Sequence, residues 1–145
     1  MSEEKNKAII RSFNEAVNEQ NLALLDDLRA SDYLDHSLTK MRGLEGVKRF
    51  LTVFYKGFPD FHVTIEDIIA ERDKVCVRVK YTGTHTGEYR GVAPTGKKMT
   101  FASVQIYRIV EGKIIEREAV FDLLDFYKQL GTIEYTEKAK KLFPE

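Results

Sequence analysis

Hydrophobic positions repeat with a helical period in the first third of the chain and with a period of two after it. Residues 3–19 place Ile9, Phe13, Ala16 and Val17 on one side, with Glu3 and Glu4 favourably set at the positive end of the helix dipole. Asn21 is a good cap for a short helix carrying Leu22, Leu25 and Leu28. An extended piece, Tyr33-Leu34-Asp35-His36, leads to a third helix over roughly Leu44–Gly57. Its stripe is Val47, Phe50, Leu51, Phe54 and Phe58, and Phe58-Pro59 ends it. Thereafter Phe61, Val63 and Ile65 alternate with His62, Thr64 and Glu66. Across an Arg72-Asp73 turn, Val75, Val77, Val79 and Tyr81 alternate with Cys76, Arg78 and Lys80. A Gly- and Pro-rich loop spans Gly87–Lys98, and a long strand runs from Met99 to Val110. Glu111-Gly112 turns it into a last strand reaching Asp122, and residues 123–130 again have helical spacing.

Helices first and long neighbouring strands after predict one α+β domain over residues 1–145, with helices covering one face of an antiparallel sheet. The last two strands are apolar on their other face too, at Ala102, Val104, Ile106, Ile115, Ala119 and Phe121. With no helix left to cover them, these residues predict a homodimer, with Arg108 and Arg117 at the rim of the contact.

The hairpin register locates a candidate site. A two-residue loop at Glu111-Gly112 pairs Val110 with Lys113, Gln105 with Glu118, Ser103 with Val120 and Phe101 with Asp122. Phe101, Ser103, Gln105, Tyr107, Glu118 and Asp122 then share the face beneath the helices. Polar groups among aromatics suggest a lined cavity for a small hydrophobic ligand. The plainer alternative is a cross-strand hydrogen bond between Gln105 and Glu118. Asp122, between Phe121 and Leu123, is a candidate general acid/base, because desolvation raises a carboxyl pKa towards neutrality. It is equally suited to capping the helix that starts at Leu123.

Parity from Val75 through Tyr81 puts His85 on the inward side unless Gly83 forms a bulge. An inward histidine is a catalyst or a hydrogen-bonded core residue, and His36 beside Asp35 poses the same choice. The three histidines lack metal-ligand spacing, and Cys76 stands alone. There is no G-x-S-x-G, Walker loop or dinucleotide fingerprint, so the expected chemistry uses side chains without a cofactor or metal.

Charge narrows the partners. The 23 basic and 23 acidic residues balance and intersperse, which gives no electrostatic footprint for nucleic acid. No apolar run is long enough to span a bilayer, and the N-terminal residues lack a secretory pattern. A soluble cytoplasmic protein, free of membrane or nucleic-acid partners, is the expectation.

Several motifs in order resemble the SnoaL-like polyketide (ester) cyclases of the nuclear-transport-factor-like superfamily. They are Asp35-His36-Ser37, Gly43-Leu44-Glu45-Gly46-Val47, Phe58-Pro59-Asp60, Gly83-Thr84-His85-Thr86-Gly87-Glu88, Pro94-Thr95-Gly96, and the Gly112…Asp122…Gln129-Leu130-Gly131 segment. The resemblance implies a cone-shaped α+β barrel with a cavity, commonly homodimeric. It also implies cofactor-independent aldol-type ring closure, in which the acid/base aspartate corresponds to Asp122. Where such cyclases use a histidine this chain has Gln105, which hydrogen-bonds but does not exchange protons at neutral pH. The tryptophan many relatives carry near Glu118 is missing. The expected roles are Asp122 and His85 in catalysis, with Tyr33, His36, Phe54, Phe101, Gln105 and Glu118 contacting a hydrophobic carbonyl compound. Ketosteroid-isomerase-like or dehydratase chemistry, and ligand binding without turnover, are the alternatives.

Overall fold

The structure is a computed structural model and describes residues 2–36 and 43–143. The helices are α1 (Glu3–Asn18), α2 (Leu22–Leu28), α3 (Gly43–Gly57), α4 (Leu123–Leu130) and α5 (Glu137–Lys140). The strands are β1 (Arg29–Asp35), β2 (His62–Glu71), β3 (Lys74–Thr84), β4 (Lys98–Val110) and β5 (Lys113–Phe121). Ser2 caps α1 by accepting from the Lys5 amide at 3.1 Å, and Asn21 caps α2 through the Leu24 amide at 3.1 Å. These contacts satisfy amides that have no partner within the first helical turn.

The strands form one sheet in the order β1-β5-β4-β3-β2. Helix α1 packs on β2, α3 on β1 and α4 on β4, so the helices lie against one face. Asn14 and Asn18 fasten α1 to β2 by donating to the Val63 carbonyl at 3.1 and 2.9 Å, and Asn18 also accepts from the Val63 amide at 2.7 Å.

Two expectations need correction. The sheet is mixed and open, because Tyr33, Leu34 and Asp35 of the expected extended piece belong to the longer strand β1, which pairs parallel to β5, Asp35 beside Arg117. It is not a closed barrel. The hairpin register also shifts. Glu111 and Gly112 both have positive φ, 49° and 78°, as a tight two-residue turn requires, and Val110 pairs with Lys113 as expected. Ile109 then faces Ile114, but Arg108 faces Glu116, so Ile115 is an extra residue, a β-bulge. A one-residue slip exchanges the two faces of every residue beyond it.

Arg117 therefore pairs with Tyr107, Ala119 with Gln105 and Phe121 with Ser103 on the helix-covered face. Glu118 pairs with Ile106 and Val120 with Val104 on the open face. Val104, Ile106 and Val120 are 45%, 43% and 76% exposed there. Ala119 and Phe121, expected on the open face, instead turn inward. Arg117, expected at its rim, is buried.

Candidate functional site

The covered face carries a polar band across an apolar wall. Register aligns Gln105 with Val77 and Ser103 with Val79, while Tyr81 stands opposite Phe101. The Gln105 side-chain amide donates to the Tyr81 hydroxyl and, at 3.3 Å, to Ser103 Oγ. Its carbonyl oxygen accepts from the Tyr107 hydroxyl at 2.5 Å. Both ends of a buried amide are thus engaged, which fixes its orientation. Burial pushes the Tyr81 pKa upward, so the phenol stays neutral at physiological pH.

A buried ionic group adjoins this band. Arg117 Nε donates to Asp35 Oδ2 at 2.8 Å, and the Tyr33 hydroxyl donates to the same oxygen at 3.0 Å. Parallel pairing of β1 with β5 sets Asp35 directly beside Arg117, an adjacency no local pattern announces. Arg29, the first residue of β1, has its guanidinium carbon 4.3 Å from the Phe13 ring centre and 4.5 Å from that of Tyr33. Desolvation lowers the Arg29 pKa from its ordinary value, and the charge of Arg117 adds to that. Desolvation also raises the pKa of Tyr33, against the opposing pull of Arg117 and Arg29.

Arg29, Gln105, Tyr81, Tyr107 and Arg117 border a cavity of about 40 Å³ whose remaining walls are almost entirely apolar. The space holds a few waters or one polar head group. Pockets that engulf whole drug-sized ligands measure roughly 300–1,000 Å³, so a multi-ring ligand must displace side chains to enter. Half-buried Phe50 and Ile65 are the lining residues best placed to yield.

The sequence-predicted residues scatter around this cavity. Gln105 lines it, and Tyr33 buttresses it through Arg29 and Asp35. Phe54 and Phe101 border a second void of about 10 Å³, with Phe58, Phe61 and Phe126. His85 is inward, as parity required, but it lines neither space. Its ring stacks on Phe58 at 5.2 Å, and its Nδ1 lies 3.1 Å from Thr95 Oγ1. Its backbone holds the same loop, accepting from Gly96 at 2.8 Å and donating to Lys97 at 2.9 Å.

Three residues stand at the surface. His36 Nε2 is 3.0 Å from Glu116 Oε2, and this contact, with Arg108, draws the Glu116 pKa down. Glu118 points outward because of the Ile115 bulge. Asp122 is the N-cap of α4, with Oδ1 accepting from the Asp125 amide at 3.2 Å. The expectation that Asp122, Glu118, Gln105 and His85 line one cavity is thus met by Gln105 alone.

Arg29, Asp35, Tyr81 and Arg117 were not among the predicted site residues. The available signals were Asp35 within its motif and the inward parity of Tyr81. Nothing periodic marked Arg29. Among the described residues no cluster of three or more His, Cys, Asp or Glu side chains is arranged to hold a metal ion, and no helix is long and apolar enough to cross a membrane.

The sequence profile of the SnoaL-like polyketide cyclases matches residues 7–130. The aklanonic acid methyl ester cyclase DnrD of Streptomyces peucetius is 31% identical over 100 residues, 68% of this chain and 68% of its own. AcmA of Streptomyces galilaeus, also an aklanonic acid methyl ester cyclase, is 28% identical over 128 residues, 86% of this chain and 89% of its own. Among solved structures, AclR from Streptomyces galilaeus, a candidate hydroxylase, superposes with a TM-score of 0.84 at 28% identity, covering 92% of this chain and all of its own. IdmH from Streptomyces antibioticus, a candidate polyketide cyclase, superposes at 0.79 with 29% identity, covering 87% and 98%. With the profile matched across most of its length and the fold shared with these proteins, the chain belongs to the SnoaL-like polyketide cyclase family.

Proposed function

We propose that the protein is a cofactor-independent cyclase that closes a ring in a small hydrophobic carbonyl compound. One observation carries this reading: an apolar cavity floored by the linked polar groups of Tyr81, Gln105 and Tyr107, in a chain related to ester cyclases. In aldol-type closure a proton leaves the carbon α to one carbonyl. The enolate carbon attacks a second carbonyl of the same molecule, and the resulting alkoxide takes a proton back. Atoms balance and no electron is lost, so product and substrate have equal mass. Fixed donors beside the carbonyl oxygen stabilise the charge that develops on it. Arg117 and the Tyr81–Gln105 pair are the donors on hand. Asp122 is assigned the proton transfer by its position in the family motif.

The exposure and capping role of Asp122 favour a second reading, a module that binds the same class of ligand without turnover. The test incubates the protein with aklanonic acid methyl ester, the compound after which the curated relatives are named, and follows it by chromatography and mass spectrometry. A new peak of unchanged mass supports the cyclase. Saturable binding without that peak supports the module. The exposed Val104, Ile106 and Val120 support a homodimer through the open sheet face in either case.

A further inference from the structure

Two cations at the cavity carry donors that no described residue accepts. Arg29 is only 3% exposed, and Phe13 and Tyr33 lie against its guanidinium. A guanidinium directs its N–H bonds within its own plane, so contact with ring faces leaves the edge donors to find acceptors. Arg29 Nε and Nη1 find none among the described residues. Arg117, 6% exposed, engages Asp35 through Nε, and its Nη2 also has no acceptor there. Both side chains line the cavity that Gln105 floors. Buried donors of this kind are normally satisfied, and those on a charged group cost the most when they are not.

We propose that Arg29 and Arg117 form a subsite for an anionic oxygen group on the ligand, a carboxylate or the ionised enol of a β-dicarbonyl, attached to an apolar body. Planar forked donors match two oxygens held in one plane, which is how guanidinium recognises carboxylates. Charge points the same way. Among the described residues Asp35 is the one carboxylate ion-paired with Arg117, and no carboxylate there is ion-paired with Arg29. Size agrees as well, since about 40 Å³ admits an anionic head group while the apolar body lies towards Phe50 and Ile65. The inference shares the ligand cavity with the proposed function but does not depend on turnover.

Benzoate and benzamide have nearly the same shape and differ in charge, so they isolate the effect. Each is titrated into the whole protein by calorimetry, with backbone amide shifts recorded in parallel. Benzoate should bind at least tenfold more tightly, and the shifts should centre on Val77, Val79 and Gln105. Arg29→Met should abolish the preference and Arg29→Lys should retain part of it. Equal affinities, shifts confined to surface lysines, or a preference that survives Arg29→Met would each overturn the subsite. The wild-type comparison decides even if Arg29→Met does not fold. Benzoate preference without ring closure refutes only the cyclase reading, and ring closure without the preference refutes only the subsite.

Discussion

Replacing Asp35 with asparagine should destabilise the fold far more than a surface charge change would. Asp35 is 2% exposed, and one of its oxygens receives both Arg117 Nε at 2.8 Å and the Tyr33 hydroxyl at 3.0 Å. Asparagine keeps the volume, and its amide oxygen can still accept both bonds, but it removes the charge facing a guanidinium that is itself 6% exposed. Stranding one partner of a buried pair costs about 3–5 kcal/mol. Screening by water, which reduces exposed pairs to about 0–1 kcal/mol, is absent here. For a domain near this size each kcal/mol moves Tm by roughly 2–4 °C, so the expected drop is on the order of 10 °C. Thermal and urea melts of wild type, Asp35→Leu, Arg117→Met and the Asp35→Leu/Arg117→Met pair complete a double-mutant cycle, with Asp35→Asn measured beside it. The paired apolar replacement should recover part of the loss, because Arg117 is removed together with its partner, while Arg29 stays buried without the Asp35 charge. An Asp35→Asn protein that melts within about 2 °C of wild type would refute the reasoning, since an indifferent partner means the group is not desolvated as described.

Asp60 accepts from the Thr84 amide at 2.6 Å and the Thr84 hydroxyl at 2.7 Å, and the amide bond foremost draws its pKa below the ordinary value. A depressed folded pKa contributes stability above the unfolded value of about 3.9 and loses it as pH falls through the folded one. Wild type should therefore exceed Asp60→Asn in chemical melts at pH 7, with the gap closing below about pH 4; a pH-independent gap would contradict this. Asp122→Ala should cost about 1 kcal/mol through the lost cap while Asp122→Asn costs little, and Asp122→Asn should abolish ring closure if Asp122 moves the proton. Retained closure by that variant would remove Asp122 from the chemistry. Val120→Lys, with Val104→Asp as a second probe, should convert a dimer to monomers in sedimentation velocity, and an unchanged mass would exclude the open face as the interface.

Local pattern reached most of the architecture. The stripe from Val47 to Phe54 marked α3, the alternation from Val75 to Tyr81 marked β3, and Asn21 marked the start of α2, because each depends on residues within a few positions. Parallel pairing of β1 with β5 was not legible, since it joins residues more than eighty positions apart and leaves no mark in either segment. The bulge was hidden for another reason. Ile114 and Ile115 are both apolar, so alternation there is satisfied with or without an extra residue. That ambiguity misplaced Glu118, Arg117, Ala119 and Phe121 together. His85 came out inward because β3 stays in register with β4 as far as Thr84. Its neighbourhood could not be foreseen, as it depends on how residues 94–98 fold back.

Strand β5 holds two alternative lining sets, and whether Ile115 is bulged out or paired selects between them much as a frame selects codons. In one frame Arg117, Ala119 and Phe121 look inward; in the other Glu116, Glu118 and Val120 would take their place. The first gives a cationic interior and the second an acidic one, from the same residues in the same order. Deleting Ile115 removes the surplus position and leaves Arg117 opposite Tyr107. A residue inserted after it, unless absorbed as a wider bulge, moves two carboxylates inside and the arginine out. In a relative of this fold, one inserted residue in this hairpin that no bulge absorbs would thus act as a charge reversal of the ligand chamber, invisible to any comparison of composition.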